Sequence, residues 1–182
     1  MNFSNCNEKE LWEYVASKLS SLGIRNVLVG GAVAAIYSEG AYKSGDLDIV
    51  LDSYRLDTKV LDRGMRSIGF IKEGRHWIHP ECEHIFIEFC NPPVSIGSDF
   101  KIVPLEVISG GVKIHILSPT DCIKDRLASY IHWSARECLD QSILVANESE
   151  IDLEEVKRWC LNEHSDGKRY YDEFFQKISQ MK

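Results

Sequence analysis

Asp46 and Asp48 lie in a stretch that alternates in polarity from residue 46 to 52. In an extended chain, residues i and i+2 project from the same face. Asp46, Asp48, Val50 and Asp52 therefore share one face, and Leu47, Ile49 and Leu51 the other. Two carboxylates so placed can share one divalent cation or bridge two. Magnesium prefers such hard oxygen ligands and completes its shell with water and substrate phosphates. Upstream, Gly30-Gly31 separates a short apolar run from an alanine-rich one. Without side chains, the pair leaves backbone N–H groups and a helix start free to approach a triphosphate. Alone, Asp-x-Asp also occurs on plain surface strands, and Gly-Gly is an ordinary turn. Their order, strand, glycine turn, helix, then a strand bearing the aspartates, is what points to phosphoryl chemistry.

The elements that must position these residues can be read from hydrophobic spacing. Leu11, Val15, Leu19 and Leu22 recur at helical intervals and predict a helix over 9–22, stopped by Gly23. Residues 27–29 read as a buried strand, 32–37 as a helix, 46–52 as a strand and 56–68 as a helix. Residues 84–90 alternate again as a second clear strand. Residues 100–108 and 112–116 read as a hairpin around Gly110-Gly111. Ser118-Pro119-Thr120-Asp121 then signals a helix start, with Ser118 as cap, Pro119 at the first position and Asp121 completing a capping box. Helices are predicted over 119–133, 135–146, 153–163 and 168–181. The fold class is thus mixed α/β: a mixed sheet flanked by helices over 1–117, then a helical region over 118–182 packed on it. No flexible linker separates the two.

With 182 residues, 44% hydrophobic and 27% charged, the chain can bury a proper core. With a net charge of -7, a broad basic surface is not expected and strong nonspecific nucleic-acid binding is not implied, which leaves room for a local basic patch. The apolar runs are far too short to span a bilayer, and residues 1–10 carry no apolar signal core. The six cysteines are scattered without a CxxC pair, which suits reduced, mostly buried thiols and a cytoplasmic location.

The segment from Val29-Gly30-Gly31 to Asp46-Leu47-Asp48-Ile49 resembles the nucleotidyltransferase superfamily, which contains polymerase β, aminoglycoside nucleotidyltransferases and minimal bacterial members. The resemblance implies magnesium or manganese held by Asp46 and Asp48. It also implies a third carboxylate on a later strand, for which Glu88 in Phe86-Ile87-Glu88-Phe89 is the candidate, either as metal ligand or as base. Residues 117–128, followed by Arg136 and Asp140, look like the AbiEii-type toxin branch that includes the MenT toxins. On that likeness Lys43, Ser44, Lys124 and Arg136 join Gly30 and Gly31 in holding the nucleotide. The plain alternatives are a charged helix face for Lys124 and an i,i+4 salt bridge between Arg136 and Asp140.

Two functions follow from the resemblance. One is an enzyme that moves an NMP group from an NTP to an acceptor hydroxyl, on an RNA 3′ end or a small molecule such as an aminoglycoside. The other is an inactive protein of the same fold that binds a nucleotide or a protein partner such as an antitoxin. Elsewhere, His76, His79, Cys82 and His84 are zinc-ligand types crowded into one stretch. His76 and His79 face opposite sides of a strand, however, so a plain hairpin near the active face is the simpler reading. Trp133 and Trp159 read as core residues of the helical half.

Overall fold

The computed structural model describes residues 1–51 and 57–180. Asp52 and Leu56, expected in a strand and at a helix start, lie outside the described residues. Helix α1 spans Glu8–Ser21 and opens with a capping box. The Asn7 side chain accepts from the Glu10 N–H at 2.9 Å, while the Asn7 N–H donates to the Glu10 carboxylate at 3.0 Å. The chain continues through β1 (Asn26–Val29), α2 (Gly31–Tyr37), β2 (Asp46–Leu51), α3 (Thr58–Ser67), β3 (Ile71–Glu73), β4 (His76–His79) and β5 (Cys82–Cys90). The hairpin β6 (Leu105–Ser109) and β7 (Val112–Ile116) follows, then helices α4 (Pro119–Trp133), α5 (Arg136–Glu148), α6 (Leu153–Glu163) and α7 (Gly167–Ser179).

Among the described residues one sheet forms, in the order β3-β4-β5-β2-β1-β7-β6. Strand β1 runs antiparallel to β2, with Val29 opposite Asp48, and parallel to β7. Strands β2 and β5 are parallel, which requires the intervening chain to cross back before pairing. Strands β1, β2 and β5 are therefore adjacent in the sheet. Leu47 and Ile49 of β2 and Ile85 and Ile87 of β5 are buried, on the sheet face opposite Asp46, Asp48 and Glu88. Helix α1 packs on β1, β2 and β7.

The helical part is joined to the sheet through α2, which packs against α4 and α5 as well as β1 and β2. Tyr37, the last residue of α2, donates its hydroxyl to the Leu117 carbonyl at 2.8 Å. A single hydrophobic cluster runs from Leu11 and Trp12 through Ile49 and Ile87 to Ile123, Leu127 and Phe174.

Three expectations need correcting. The strand foreseen over 100–108 begins only at Leu105, directly after Pro104, whose missing N–H and fixed φ suit a strand start rather than a strand interior. Ser118 does cap α4, accepting from the Asp121 N–H at 3.0 Å. The Asp121 carboxylate, however, takes the Ser118 hydroxyl at 2.7 Å instead of the cap backbone N–H. Trp133 is 82% exposed, because it ends α4 immediately before the left-handed Ser134 that turns the chain away; Trp159 is buried. No helix among the described residues is long and apolar enough to cross a membrane.

Since one core serves both parts, unfolding is expected as one cooperative event. Phe174→Ala, at a fully buried position in α7, should lower the unfolding free energy by about 3–5 kcal/mol. Urea transitions followed by far-UV and near-UV circular dichroism should stay coincident. A separate early transition of the helical part would contradict this.

Candidate active site

The parallel register of β2 and β5 sets Asp48 directly beside Glu88 and Asp46 beside Phe86. Adjacent strands lie about 4.8 Å apart, so the carboxylates of Asp48 and Glu88 start from neighbouring backbone positions on one face, with Asp46 one pleat away. Strand β4 extends the row by pairing His76 with Glu88. The Glu88 carboxylate lies 3.3 Å from Arg75 Nε and 3.4 Å from His76 Nε2, and the His76 ring packs on Phe86.

The glycine pair borders this row. Gly30 has φ +77°, a backbone conformation that L side chains rarely adopt, and a Cβ there would land on Asp48 Oδ2. At Gly31 a Cβ would stand 2.9 Å from Ser44 Oγ. Ser44 is buried; its hydroxyl donates to Asp46 Oδ1 at 2.7 Å and its N–H donates to Glu8 Oε1, also at 2.7 Å. Gly30, Gly31, Ser44, Asp46, Asp48 and Glu88 are thus brought together. Lys43 is exposed on the rim next to Ser44.

Burial, then the charge of Asp46, pushes the Asp48 carboxyl up to about 6; Arg126 pulls the other way, and Glu88 and Asp125 add to the rise. A hard divalent cation among these carboxylates would relieve that repulsion, so the donor set fits magnesium or manganese.

Arg126 is the residue that sequence reasoning missed. Its guanidinium lies within 3.8 Å of the space a Gly31 Cβ would fill. It donates to Asp125 Oδ2 at 2.6 Å and 3.2 Å and to Gln141 Oε1 at 3.4 Å. Burial opposes its charge, but Asp125 outweighs burial and its pKa rises. The available signal was helical spacing: Arg126 falls one turn from the buried Cys122 and Tyr130.

Lys124, expected to reach phosphate, sits two residues from Arg126 and so on the opposite side of α4. It is 3% exposed, and its Nζ lies 2.9 Å from Asp121, 3.1 Å from Glu155 and 3.3 Å from Asp99. Its charge is committed to tying α4 to α6 and the Asp99 loop. Arg136 is 80% exposed and faces Glu173 at 4.0 Å, while Asp140 faces Lys177 at 3.7 Å. Both pairs run from α5 to α7, in place of the foreseen i,i+4 bridge.

No protein-family model matches the sequence, and no curated protein matches it. Solved structures do. A nucleotidyltransferase-like antigenic protein from Paracoccidioides brasiliensis superposes with a TM-score of 0.64 at 17% identity, over 96% of this chain and 90% of that one. The fold is nucleotidyltransferase-like. Two structures of the antibiotic-resistance factor ANT(2″)-Ia also match. One is a solution structure, at TM-score 0.48 and 9% identity, over 97% of this chain and 96% of that one. The other holds adenylyl-2″-tobramycin, at TM-score 0.47 and 11% identity, over 92% and 97%.

The nucleotidyltransferase-like core carries an electrostatic cost at Asp48. A carboxyl whose folded pKa is raised loses stability as pH climbs from its unfolded value, near 4, through about 6. The shift corresponds to about 3 kcal/mol at most, and to about 1–2 kcal/mol after solvent screening of a half-buried group. Asp48→Asn should therefore melt higher than wild type at pH 7.5 in EDTA, with the gain vanishing near pH 4. Identical melting at both pH values would remove Asp48 from a repulsive cluster. Lys124→Met should destabilise by about 2–4 kcal/mol, since it strands three carboxylates, while nucleotide affinity stays unchanged. Loss of affinity in a folded Lys124→Met protein, measured by calorimetry, would restore the phosphate role.

Proposed function

We propose that this chain is a metal-dependent nucleotidyltransferase, moving an NMP group from an NTP to an acceptor hydroxyl with release of pyrophosphate. The observation that carries this reading is the in-register pairing of Asp48 with Glu88 beside Asp46 and the Gly30–Gly31 turn. Asp46 and Asp48 hold the cation, and the Ser44 hydroxyl fixes the Asp46 carboxylate. Bound magnesium or manganese would activate the attacking oxygen and steady the charge on the leaving oxygens. Glu88 serves on the acceptor side, as a further ligand or as the base that takes the acceptor proton. Gly30 and Gly31 let the backbone approach the triphosphate. Arg126, preset by Asp125 and Gln141, supplies positive charge there without rearrangement. Lys43 adds charge from the rim.

The acceptor is an RNA 3′ end or a small molecule such as an aminoglycoside. The net charge of -7 favours a cationic small molecule over a polyanion. A second reading is a protein of the same fold that binds nucleotide, or a partner such as an antitoxin, without turnover. The Arg75 guanidinium already lying 3.3 Å from the Glu88 carboxylate favours it.

Labelled NTPs incubated with Mg²⁺ or Mn²⁺ and either total RNA or an aminoglycoside panel test the first reading. Glu88→Gln at saturating NTP should lower incorporation by about 100-fold or more while NTP affinity stays within a few-fold. Asp46→Asn should abolish Mn²⁺-dependent binding of a non-hydrolysable NTP. Full activity in Glu88→Gln would exclude Glu88. Binding by wild type without incorporation into any acceptor would favour the second reading.

A further inference from the structure

Away from the carboxylate row, the start of β5 meets the segment before α1. Cys6 Sγ lies 3.6 Å from Cys82 Sγ, and Cys82 Sγ lies 3.9 Å from His84 Nδ1. The three donor atoms all fall within 4.8 Å of one another. The two sulfurs are buried and His84 is exposed. The His84 Nε2 is 2.8 Å from the Cys6 backbone carbonyl. A carbonyl can only accept, so Nε2 carries a proton, and the neutral ring then presents the Nδ1 lone pair beside the thiols. Metal-bound histidines are commonly oriented in this way, with the second ring nitrogen donating to a carbonyl.

We infer that Cys6, Cys82 and His84 form a zinc site. Tetrahedral zinc, with bonds of about 2.3 Å to sulfur and about 2.0 Å to nitrogen, places its ligands about 3.8 Å apart for sulfur–sulfur and about 3.6 Å for sulfur–nitrogen. The Cys6–Cys82 and Cys82–His84 separations of 3.6 Å and 3.9 Å lie close to these values, and all three donor atoms fall within 4.8 Å of one another. The competing covalent arrangement, a disulfide, needs the sulfurs about 2.0 Å apart. Thiolate and imidazole ligands select zinc over magnesium. Three protein ligands leave a fourth position for water. The adjoining cleft of about 500 Å³, lined by Asn5, Cys6, Lys43, Ser44 and His84, gives that position access to solvent. The site ties residue 6 to β5. Because Glu8 follows two residues later and holds Ser44, zinc would also brace the support of Asp46. The assignment stands apart from the proposed transferase reaction.

Sulfur ligation gives a signature that the oxygen site cannot. Reduced, EDTA-stripped protein titrated with Co²⁺ should bind one ion with intense thiolate-to-cobalt absorption and tetrahedral visible bands, and Zn²⁺ should abolish both. Cys6→Ser and Cys82→Ser should each lose the charge-transfer band. His84→Ala, at an exposed position, should keep the wild-type circular dichroism and weaken Co²⁺ binding by at least about tenfold. Three results would overturn the site: no charge-transfer band in reduced wild type, a band unchanged in folded His84→Ala, or a Cys6–Cys82 disulfide that persists in reductant.

Discussion

The parallel pairing of β2 with β5 is the constraint on which the rest of the molecule depends. It sets Asp48 beside Glu88, and like charges on directly opposed residues destabilise a sheet. The register is nevertheless fixed, because the other face of the same strands buries Leu47, Ile49, Ile85 and Ile87. A slip of one residue would exchange the apolar face for the carboxylates. Burial of the odd-numbered side chains therefore holds the even-numbered acids together against their repulsion. The raised pKa of Asp48 comes first from burial and then from Asp46 on the same strand, and Glu88 adds to it.

Around this pairing, side chains from distant parts of the chain act as supports. Glu8 holds the Ser44 N–H, Ser44 holds Asp46, Arg75 stands against Glu88, and Asp125 and Gln141 set Arg126. Each is a charge-assisted contact, the kind that fixes orientation as well as adding energy. Gly30 contributes by absence, since the room a side chain would occupy is filled by Asp48.

Much of this was legible in the sequence because it is written in short-range periodicity. Alternation at 46–52 and 84–90 gave both strands and the faces of their acids, and helical spacing with the Ser118-Pro119 start gave α4. What periodicity does not encode is which charged residue on a helix turns inward. Lys124 and Arg126 look alike in the sequence, yet a rotation of two residues sends one to the carboxylates of Asp121, Glu155 and the Asp99 loop and the other to the glycine turn. The same limit applies to the histidine-rich stretch. Its zinc-ligand types suggested each other as partners, whereas Cys82 and His84 meet Cys6, 76 and 78 positions earlier. Trp133 was misread because aromatic character alone does not reveal a left-handed residue at the following position.

The link from Glu8 to Ser44 also bears on how the chain is made. During synthesis Glu8 leaves the ribosome first and must wait for Ser44, 36 residues later, before its carboxylate finds the N–H it holds. Asp48 gains its neighbour only when β5 emerges, and Arg126 gains its second partner only once Gln141 of α5 has followed. Domains generally fold as units during translation, and here the unit closes late. A nascent chain stalled before α5 would carry every acidic group of the row, with Asp125 but not Gln141 to hold the Arg126 guanidinium.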